Sequence, residues 1–597
     1  MVPTIENDFT IHVGTVNGSG SQSANNVLIR SFLQMGLPVS GKNLFPSNIS
    51  GMPTWFTIRV NKDGWLGRKK DVDILVAMNE ETAAQDVADL RPGAVCISPT
   101  ELKLHTIRTD VIHYQVPFNE LVVATTDNTK LRKLLVNMIY VGVVGQLLDM
   151  DFAEIEKAIK RQFAGKDSAI KTNLLALEKG RQWAKQNLVK KDGFVARRLN
   201  LTEDKILIDG NSAAAIGCLF GGVSVLTWYP ITPSSSICEH LEAYLQKHRK
   251  DADGKQTFAV VQAEDEIAAI GMALGAGWAG ARSMTATSGP GISLMAEFVG
   301  LGYFTEIPVV IFDVQRVGPS TGLPTRTSQG DISFVHQLSH GDTRHIVLLP
   351  GTVEECYTMA TEAFDIAERF QTPIFVLSDL DLGMNSFMSD PFKFPEKPLD
   401  RGKVLNAAEL AAAGKFERYR DLDGDGICYR TLPGTESPLA AYFTRGSGHN
   451  EKAGYSERPA DYRNLMDRLT RKYNTARGVV PAPELHKNEK AKVGIIAFGS
   501  SDHAVREARQ QLGQAGVETA YLRLRAIPFN DDLARFVEQC DRVYVVEQNR
   551  DGQMRDLIAL ELPELATRLR SVLHYNGLPI HANFISEAIA QKEAAHV

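Results

Sequence analysis

The sequence has no closely spaced cysteines. Its 597 residues contain six cysteines, scattered along the chain without a CxxC pair. Iron–sulfur clusters need several thiolates close together, so this chain offers no ligand set for a cluster of its own. We predict reduced and mostly buried thiols. The six are Cys96, Cys218, Cys238, Cys356, Cys428 and Cys540.

Long apolar runs and an excess of positive charge are also absent. No window approaches the roughly 18 apolar residues that a membrane helix requires. The N-terminus MVPTIENDFTIHVG lacks the basic and apolar regions of a signal peptide. A net charge of −6 gives no electrostatic reason to bind nucleic acid or an anionic membrane. We expect a cytoplasmic protein with neither as a partner.

The chain does contain a repeated alternation of apolar strands and helical segments. It is too long for one core, and the alternation predicts an α/β fold of three parallel-sheet domains. We place these at residues 1–195, 205–385 and 491–597. Between the last two lies an irregular excursion, residues 386–490, rich in Pro, Gly, Asp and Tyr. The charged segment 179–200 is interpreted as a polar connector.

Glycines crowd the first predicted strand-to-helix turn, HVGTVNGSGSQSANN. Gly14, Gly18 and Gly20 follow a strand and precede a helix, where backbone amides can approach a phosphate. The spacing is not GxGxxG, and no acid after the next strand is placed to hold a ribose. We interpret the segment as a tight structural turn, with contact to another phosphate-bearing ligand left open.

The stretch TWYPITPSSSICEHLEAY sets two prolines between an apolar strand and a helix. Pro230 and Pro233 restrict the backbone, so Ile231 and Thr232 are held in an extended shape. Thr232 is then presented at the carboxyl end of a strand, where open α/β sheets bind ligands. We interpret the serines at 234–236 as a helix N-cap cluster that satisfies free amides.

Three successive acids, Glu264, Asp265 and Glu266, follow the strand FAVVQ. Acids in the first turn of a helix stabilise it by about 0.3–1 kcal/mol each, which is one explanation. The alternative is that Glu264 protonates or hydrogen-bonds a heteroaromatic nitrogen, as the pyrimidine ring of thiamine requires. Both explanations stay open at this point.

Two more strand-end loops carry groups suited to a ligand. TATSGPG can bring its backbone close to a flat ligand at Ser288 and Gly289. FDVQRVGPSTGLPTRTSQGD places Arg316, Thr325 and Arg326 on one loop, where guanidinium and hydroxyl groups form a natural carboxylate receptor. A lone loop arginine is usually solvated, but four such loops in one domain favour a binding site.

Asp421, Asp423 and Asp425 lie in the segment DLDGDG. A calcium loop would need a bidentate carboxylate at position twelve, where this chain has Leu432. A magnesium–diphosphate motif, GDG followed by Asn450, has suitable spacing but lacks the strand and helix around it. We place a plain Asp/Gly turn first, a calcium loop second and a magnesium motif third.

Together, WYPITPSSS, VVQAEDEIAA, TATSGPG and QRVGPSTGLPTRTSQGD resemble the α subunit of 2-oxoacid:ferredoxin oxidoreductases. The resemblance covers nearly the whole chain. Residues 1–195 are similar to the family's γ domain, 205–385 to its pyrimidine-binding domain and 491–597 to a transketolase C-terminal-like domain. The order of these domains and the DGDGI…RTLPG segment most resemble the 2-oxoglutarate enzymes.

The resemblance implies an enzyme that interconverts 2-oxoglutarate, coenzyme A and oxidised ferredoxin with succinyl-CoA, CO₂ and reduced ferredoxin. Pyruvate or a branched-chain 2-oxoacid stays open as the substrate. The implied cofactor is thiamine diphosphate with Mg²⁺, shared with a β subunit that also carries a [4Fe–4S] cluster. The implied assembly is an (αβ)₂ heterotetramer, and the α chain alone would be inactive.

The resemblance also implies roles for individual residues. Glu264 and Thr232 would be catalytic, with Glu264 activating the aminopyrimidine and Thr232 contacting the 2-oxoacid. The oxoacid would be bound by Thr232, Arg316, Thr325 and Arg326. The cofactor would be lined by Glu264, Tyr229, Pro230, Ile231, Ser288 and Gly289.

Three other functions remain as alternatives. A nicotinamide-linked dehydrogenase built on the glycine turn predicts activity without a partner. A non-catalytic scaffold predicts that Glu264→Gln or Thr232→Ala leaves the complex active. A thiamine carboligase complete in one chain would need a GDG–Asn motif in strand–helix context, which the sequence disfavours.

Overall fold

The computed structural model describes residues 3–46 and 51–595. These residues form two compact units. The first comprises the chain up to Ile208, joined by Asn385–Pro391 and His581–Asn583. The second comprises Asp209–Met384, Phe392–Ile580 and the residues from Phe584 onward.

The elements are numbered in chain order. Up to Ile208 they are β1 (Ile5–Glu6), β2 (Asp8–Val16), α1 (Ser21–Gln34), β3 (Val39–Leu44), β4 (Pro53–Asn61), β5 (Ile74–Ala77), α2 (Ala83–Ala88), β6 (Val95–Pro99), β7 (Ile112–Val116), α3 (Phe118–Val123), α4 (Thr129–Leu147), α5 (Phe152–Gln162), α6 (Asp167–Asn187), β8 (Phe194–Val195) and β9 (Ile206–Ile208).

The remaining elements follow. They are α7 (Gly210–Phe220), β10 (Val225–Trp228), α8 (Ser235–His248), β11 (Ala259–Gln262), α9 (Glu266–Trp278), β12 (Ser283–Thr287), α10 (Gly289–Thr305), β13 (Val309–Gln315), α11 (Ile332–His336), β14 (Ile346–Leu348), α12 (Val353–Phe370), β15 (Pro373–Asp379), α13 (Leu380–Met384), β16 (Phe387–Ser389), α14 (Ala407–Ala413), α15 (Pro459–Ala476), β17 (Glu484–His486), β18 (Val493–Phe498), α16 (Ser501–Gln514), β19 (Thr519–Leu524), β20 (Ala526–Ile527), α17 (Asp531–Gln539), β21 (Arg542–Glu547), α18 (Gln553–Glu561), β22 (Leu569–Leu573) and α19 (Ala582–Ala594).

The first unit is built on a sheet with strand order β3-β4-β2-β5-β6-β7. Strands β2, β5, β6 and β7 run parallel, as predicted, whereas β3 and β4 run antiparallel at one edge. The antiparallel edge was not predicted, because an apolar pattern identifies a strand but not its direction. The mainly parallel α/β class is confirmed.

The prediction of a polar connector at 179–200 was wrong for its first half, since α6 continues to Asn187. Small residues on α6 allow it to pack against α4. A Cβ atom on Gly180 would lie 2.2 Å from the carbonyl oxygen of Ile139. The prediction failed because this segment is rich in charged residues, whereas its buried face is narrow and formed by the small residues Gly180 and Ala184.

This close approach of α4 and α6 yields a prediction. We expect Gly180→Ala to destabilise the first unit by about 1–3 kcal/mol, because the added methyl group would force the helices apart. In the control Gly513→Ala, at an exposed position near the end of α16, the new Cβ meets no atom within 4 Å. Thermal melts should show a lower midpoint for Gly180→Ala only. Equal midpoints for both variants would contradict the packing argument.

The second unit contains two sheets that share one hydrophobic core. The larger has strand order β11-β10-β12-β13-β15-β14-β20, parallel except for β20. The smaller has order β17-β19-β18-β21-β22, parallel except for β17. Phe375 from the larger sheet and Ile496 from the smaller belong to the same buried cluster. The segments predicted at 205–385 and 491–597 are therefore packed on one another.

The segment 386–490 is largely irregular, but it contains α14 and the 18-residue helix α15. Helix α15 was missed because its sequence is rich in Arg, Asp and Lys. Two of its cations, Arg468 and Lys472, are buried and paired with Glu306. The many charged residues of α15 therefore gave no indication that one of its faces is buried.

The DLDGDG segment forms a turn braced by basic side chains. Asp421 accepts hydrogen bonds from the amides of Gly424 (2.8 Å) and Gly426 (3.0 Å). Lys403 pairs with Asp423 at 2.6 Å and Asp425 at 2.9 Å. Across residues 3–46 and 51–595, no group of three His, Cys, Asp or Glu side chains could hold a metal ion. This geometry favours the Asp/Gly turn over either metal loop.

All six cysteines are free and buried, in agreement with the sequence-based prediction. Of the helices in the described part of the chain, none combines the length and apolar character needed to cross a bilayer.

Candidate active site

Four neighbouring strands of the larger sheet end at the candidate site. Their order is β11, β10, β12 and β13, and adjacent strands run parallel. The carboxyl ends of parallel strands meet at one edge of a sheet. The loops after these strands carry Glu264, the Thr232 turn, Ser288 and Arg316, so the sheet brings all four predicted loops to the same edge.

The Thr232 turn is braced by the serines that follow it. The backbone N–H of Ile231 donates to Oγ of Ser235 at 2.9 Å, and the hydroxyls of Ser234 and Ser235 donate back to the Ile231 carbonyl at 3.1 Å. The prediction that these serines cap helix amides was wrong, since the N-cap residue Ser234 makes no such bond. They hold the turn instead, and Tyr229 and Pro230 stay exposed.

Arg316 ties the Thr232 turn to its own loop. Its Nη1 donates to the carbonyl of Thr232 at 2.8 Å, and its Nη2 donates to the carbonyl of Thr321 at 3.1 Å. Its Nε is buried and has no partner in the described residues. Burial lowers the pKa of Arg316, and the carboxylates of Asp331 and Glu266 oppose that shift. Arg316 is therefore a desolvated cation that shapes the site.

Arg326 is held at the far end of the same loop. Its Nη1 donates to the carbonyl (2.9 Å) and the hydroxyl (3.1 Å) of Thr325. Thr325 is buried, and burial lowers the pKa of Arg326. The loop thus carries two partly desolvated guanidinium groups with different partners.

The three successive acids have three different environments. Asp265 caps α9, since its Oδ1 accepts a hydrogen bond from the amide of Ala268 at 2.7 Å. Glu266 is buried in the first turn of α9. Glu264 is exposed just beyond β11, and nothing in the described chain donates a hydrogen bond to its carboxylate. Helix stabilisation explains Asp265 and leaves Glu264 available to a ligand.

Several buried polar atoms near these loops have no partner among the described residues. They include Oγ1 of Thr285 and Oγ of Ser288, on β12 and directly after it. Both carboxylate oxygens of Asp313 and Oδ2 of Asp331 are also unpaired. Sequence analysis missed the two aspartates. An acid within the apolar strand VVIFDVQ was a usable signal for Asp313, whereas Asp331 in a loop offered none.

The space beside the glycine turn of the first unit is filled by side chains of the same unit. A Cβ atom on Gly14 would lie 3.0 Å from Oδ2 of Asp86 and 3.3 Å from the Trp55 ring. Gly20 has φ +81°, and its Cβ would lie 2.6 Å from Leu134. The nearby half-buried carboxylate of Asp86 disfavours an approaching phosphate. The geometry favours a structural turn over a nicotinamide site.

Known proteins match nearly the whole chain. The family model described as "Pyruvate flavodoxin/ferredoxin oxidoreductase, thiamine diP-bdg" matches residues 216–403, and "Pyruvate ferredoxin/flavodoxin oxidoreductase" matches residues 10–183. The α subunit of 2-oxoacid:ferredoxin oxidoreductase 2 from Aeropyrum pernix is 30% identical, over 98% of this chain and 97% of its own length. The chain belongs to the 2-oxoacid:ferredoxin oxidoreductase family.

Two further members of this family are informative. The 2-oxoglutarate:ferredoxin oxidoreductase of Magnetococcus marinus, solved with 2-oxoglutarate, coenzyme A and succinyl-CoA, is 29% identical with a TM-score of 0.87, covering 98% of this chain and 99% of its own. The 2-oxoglutarate synthase subunit KorA of Archaeoglobus fulgidus is 35% identical over 59% of this chain and 90% of its own length. The predicted family resemblance is confirmed.

In this oxidoreductase, the segment matched to a thiamine diphosphate-binding domain contains all four strand-end loops. Glu264 offers a free carboxylate there, and Thr285 and Ser288 offer unpaired buried hydroxyls. Buried polar atoms normally have partners, so unpaired ones at the carboxyl edge of the sheet are candidates for ligand contacts. These residues fit the polar aminopyrimidine ring of thiamine.

Proposed function

We propose that this chain is the α subunit of a 2-oxoglutarate:ferredoxin oxidoreductase. In this proposal a β subunit supplies the Mg²⁺–diphosphate half of the thiamine site and the [4Fe–4S] cluster, within an (αβ)₂ heterotetramer. Coenzyme A captures the acyl group and ferredoxin exchanges the electrons. Supporting this, four parallel strand ends bring a free carboxylate, Glu264, to the same edge as the arginine loop.

The proposed domains follow the sequence analysis. Residues 1–195 would form a γ-type domain, 205–385 the pyrimidine-binding domain and 491–597 a transketolase C-terminal-like domain, with 386–490 as the excursion.

The arginine loop supports 2-oxoglutarate as the substrate. This dicarboxylate needs two cationic contacts, and Arg316 and Arg326 lie on one loop. Pyruvate and branched-chain 2-oxoacids carry a single carboxylate and would use only one of the two guanidinium groups. The relatives named for 2-oxoglutarate point the same way, and the monocarboxylates remain the second candidates.

Bound thiamine diphosphate would supply an electron sink for the carbanion left when CO₂ departs. Glu264 would hold a proton at the pyrimidine ring nitrogen. The Thr232 hydroxyl would contact the 2-oxoacid, and Arg316 would keep that turn in place through the Thr232 carbonyl. Tyr229, Pro230, Ile231, Ser288 and Gly289 would line the cofactor.

The proposal is tested by co-expressing the chain with its β subunit and measuring viologen dye reduction without oxygen. We expect reduction that requires both 2-oxoglutarate and coenzyme A, and that needs both chains. Activity with pyruvate or 2-oxoisovalerate alone would keep the family and change the substrate. Activity of the single chain, or a requirement for a nicotinamide, would overturn the proposal.

Replacing Arg316 tests the carboxylate loop. We expect Arg316→Lys to lower kcat/KM for 2-oxoglutarate by about 10- to 100-fold, because a lysine cannot bond both carbonyls that Arg316 joins. The matched control is Arg550→Lys, an exposed arginine paired with Asp551, which should leave the kinetics unchanged. A larger loss in Arg326→Lys than in Arg316→Lys would make Arg326 the main carboxylate contact.

A further inference from the structure

The arginine loop, residues 316–331, is held from a second side by the smaller sheet. Gln329, near the end of the loop, is buried. Its Nε2 donates to the carbonyl of Phe498, the last residue of β18, at 3.1 Å. Its Oε1 accepts the backbone N–H of Gln548, directly after β21, at 3.1 Å. The end of the arginine loop is therefore fixed to strand ends of the smaller sheet.

The segment 574–580, which follows β22, is tied to one of the same strand ends. The backbone N–H of His574 donates to the carbonyl of the last residue of β21 at 2.9 Å. The backbone N–H of Ile580 donates to Oε1 of Gln548 at 3.2 Å. Gly577 is buried between these two attachments. A segment fixed at both ends holds the residues that pack against it in a defined position.

Gly577 contacts the arginine loop at Arg326. Its carbonyl accepts the backbone N–H of Thr327 at 3.1 Å. A Cβ atom on Gly577 would lie 3.1 Å from Cβ and 3.3 Å from Cγ of Arg326. Carbon atoms in ordinary contact are about 3.5–4.0 Å apart. Gly577 also has φ +82°, a conformation that favours glycine. The first carbons of the Arg326 side chain therefore lie against the backbone of Gly577, with no room for a methyl group between them.

The backbone of Arg326 is held where it is by the loop itself. Its N–H donates to the carbonyl of Leu323 at 3.1 Å, and its carbonyl accepts the N–H of Val317 at 3.1 Å. A larger residue at position 577 would therefore displace the side chain of Arg326 more than its backbone. Because the guanidinium is at the far end of that side chain, a small rotation near its base moves the charge by a larger distance.

We propose that Gly577 is a positioning residue that sets the direction of the Arg326 side chain, so that the smaller sheet forms part of the 2-oxoacid site. Gly577 acts through Arg326 and does not touch the substrate. The kinetic consequence rests on the proposed function, in which Arg326 binds a carboxylate of the 2-oxoacid. The hold of Gly577 on the arginine loop does not depend on that function.

Hydrogen exchange of the full chain, with its β subunit where the two co-purify, tests this hold. We expect Gly577→Ala to accelerate exchange of the amides at 323–331, because the methyl group displaces the carbonyl that accepts the Thr327 N–H. The control is Gly516→Ala. Gly516 is exposed and has nearly the same φ, +83°, but its Cβ would meet no atom within 4 Å. This control should leave exchange at 323–331 unchanged.

Two results of the exchange experiment would overturn the proposal. The first is unchanged exchange at 323–331 in Gly577→Ala. The second is an acceleration spread over the whole smaller sheet, which would indicate general destabilisation. If Gly577→Ala does not fold, Gly577→Asn takes its place, since asparagine tolerates positive φ better and adds the same Cβ atom. Gly516→Asn is then the control.

Kinetics of the co-expressed complex test the action through Arg326. We expect Gly577→Ala to raise KM for 2-oxoglutarate by about 10-fold with kcat unchanged, the effect of weakening one charge-assisted contact. In the Arg326→Ala background the same substitution should add no further change, because the guanidinium that it displaces is missing. An equal increase in both backgrounds, or an unchanged KM in Gly577→Ala, would overturn the positioning role. A wild type without 2-oxoacid activity would refute the proposed function, and the exchange result would still decide whether Gly577 holds the loop.

Discussion

Glu264→Gln abolishes most of the dye-reducing activity of the co-expressed complex; this is the expected result with the largest effect on rate. Positioned acid–base groups typically contribute about 10²- to 10⁴-fold, so a loss within that range is predicted. Glutamine has nearly the same size as glutamate and can still accept a hydrogen bond. It cannot hold a charge against a protonated ring nitrogen, so the loss should appear in kcat.

The control for this substitution is Glu239→Gln on α8, an exposed carboxylate outside the strand-end loops. It removes the same charge and should leave kcat at the wild-type value. Cofactor binding provides a second measurement, since titration of thiamine diphosphate separates lost affinity from lost turnover. Full activity of Glu264→Gln with bound cofactor would exclude the catalytic role and favour a scaffold function for this domain.

The placement of the four loops was predictable because it depends on simple rules. Parallel strands separated by helices bring their carboxyl ends to one edge, so polar residues after successive strands meet there. The sequence therefore indicated that Glu264, Thr232, Ser288 and Arg316 belong together. Strand order was not predictable from apolar patterns, yet the order β11, β10, β12, β13 makes all four loops consecutive.

The parts that sequence analysis missed depend on distant partners. The serines after Thr232 were expected to cap a helix, and only the folded turn shows that they bond Ile231 instead. Asp331 carries no local signal, because only the fold shows that its Oδ2 is buried and unpaired. Helix α15 was missed because the anion that pairs with its buried cations, Glu306, lies more than a hundred residues earlier in the chain.

The Arg316 bonds explain why the strand-end loops can hold a fixed position although they are irregular. A loop is held by few backbone hydrogen bonds of its own, so its position depends on side chains. Arg316 joins two loops through the carbonyls of Thr232 and Thr321, and Gln315 joins Asp331 to the sheet. Sites on rigid elements keep their geometry better than sites on free loops. These contacts therefore hold the loops in a fixed position relative to β13.

Glu306 directly follows α10, at the opposite end of that helix from Ser288. It anchors the excursion, residues 386–490, to this helix end. Its carboxylate is fully buried and binds Nη2 of Arg468 at 2.5 Å and Nζ of Lys472 at 2.9 Å. Its carbonyl accepts a hydrogen bond from Nη2 of Arg418 at 3.1 Å. Burial alone would raise the pKa of Glu306, but Arg468 and Lys472 outweigh burial and hold the pKa well below its ordinary range.

We expect Glu306→Gln to destabilise this region by about 3–5 kcal/mol, because it leaves buried cations without their anion. The matched control is Asp467→Asn, which removes an exposed ion pair with Arg463 on the same helix and should change stability by less than about 1 kcal/mol. Because a chain of this size need not unfold in one step, the suitable measurement is hydrogen exchange of the α15 amides. Exchange should accelerate in Glu306→Gln and stay unchanged in Asp467→Asn.

The direction of the pH dependence follows from the lowered pKa of Glu306. A carboxyl group whose pKa is lower in the folded state stabilises the fold above its unfolded pKa, and the stabilisation is lost as the pH falls toward the folded value. Wild-type α15 should therefore lose protection on acidification, whereas Glu306→Gln, already without the charge, should show a weaker dependence. Parallel pH profiles for the two proteins would mean that the buried cations are stabilised by something other than the Glu306 carboxylate.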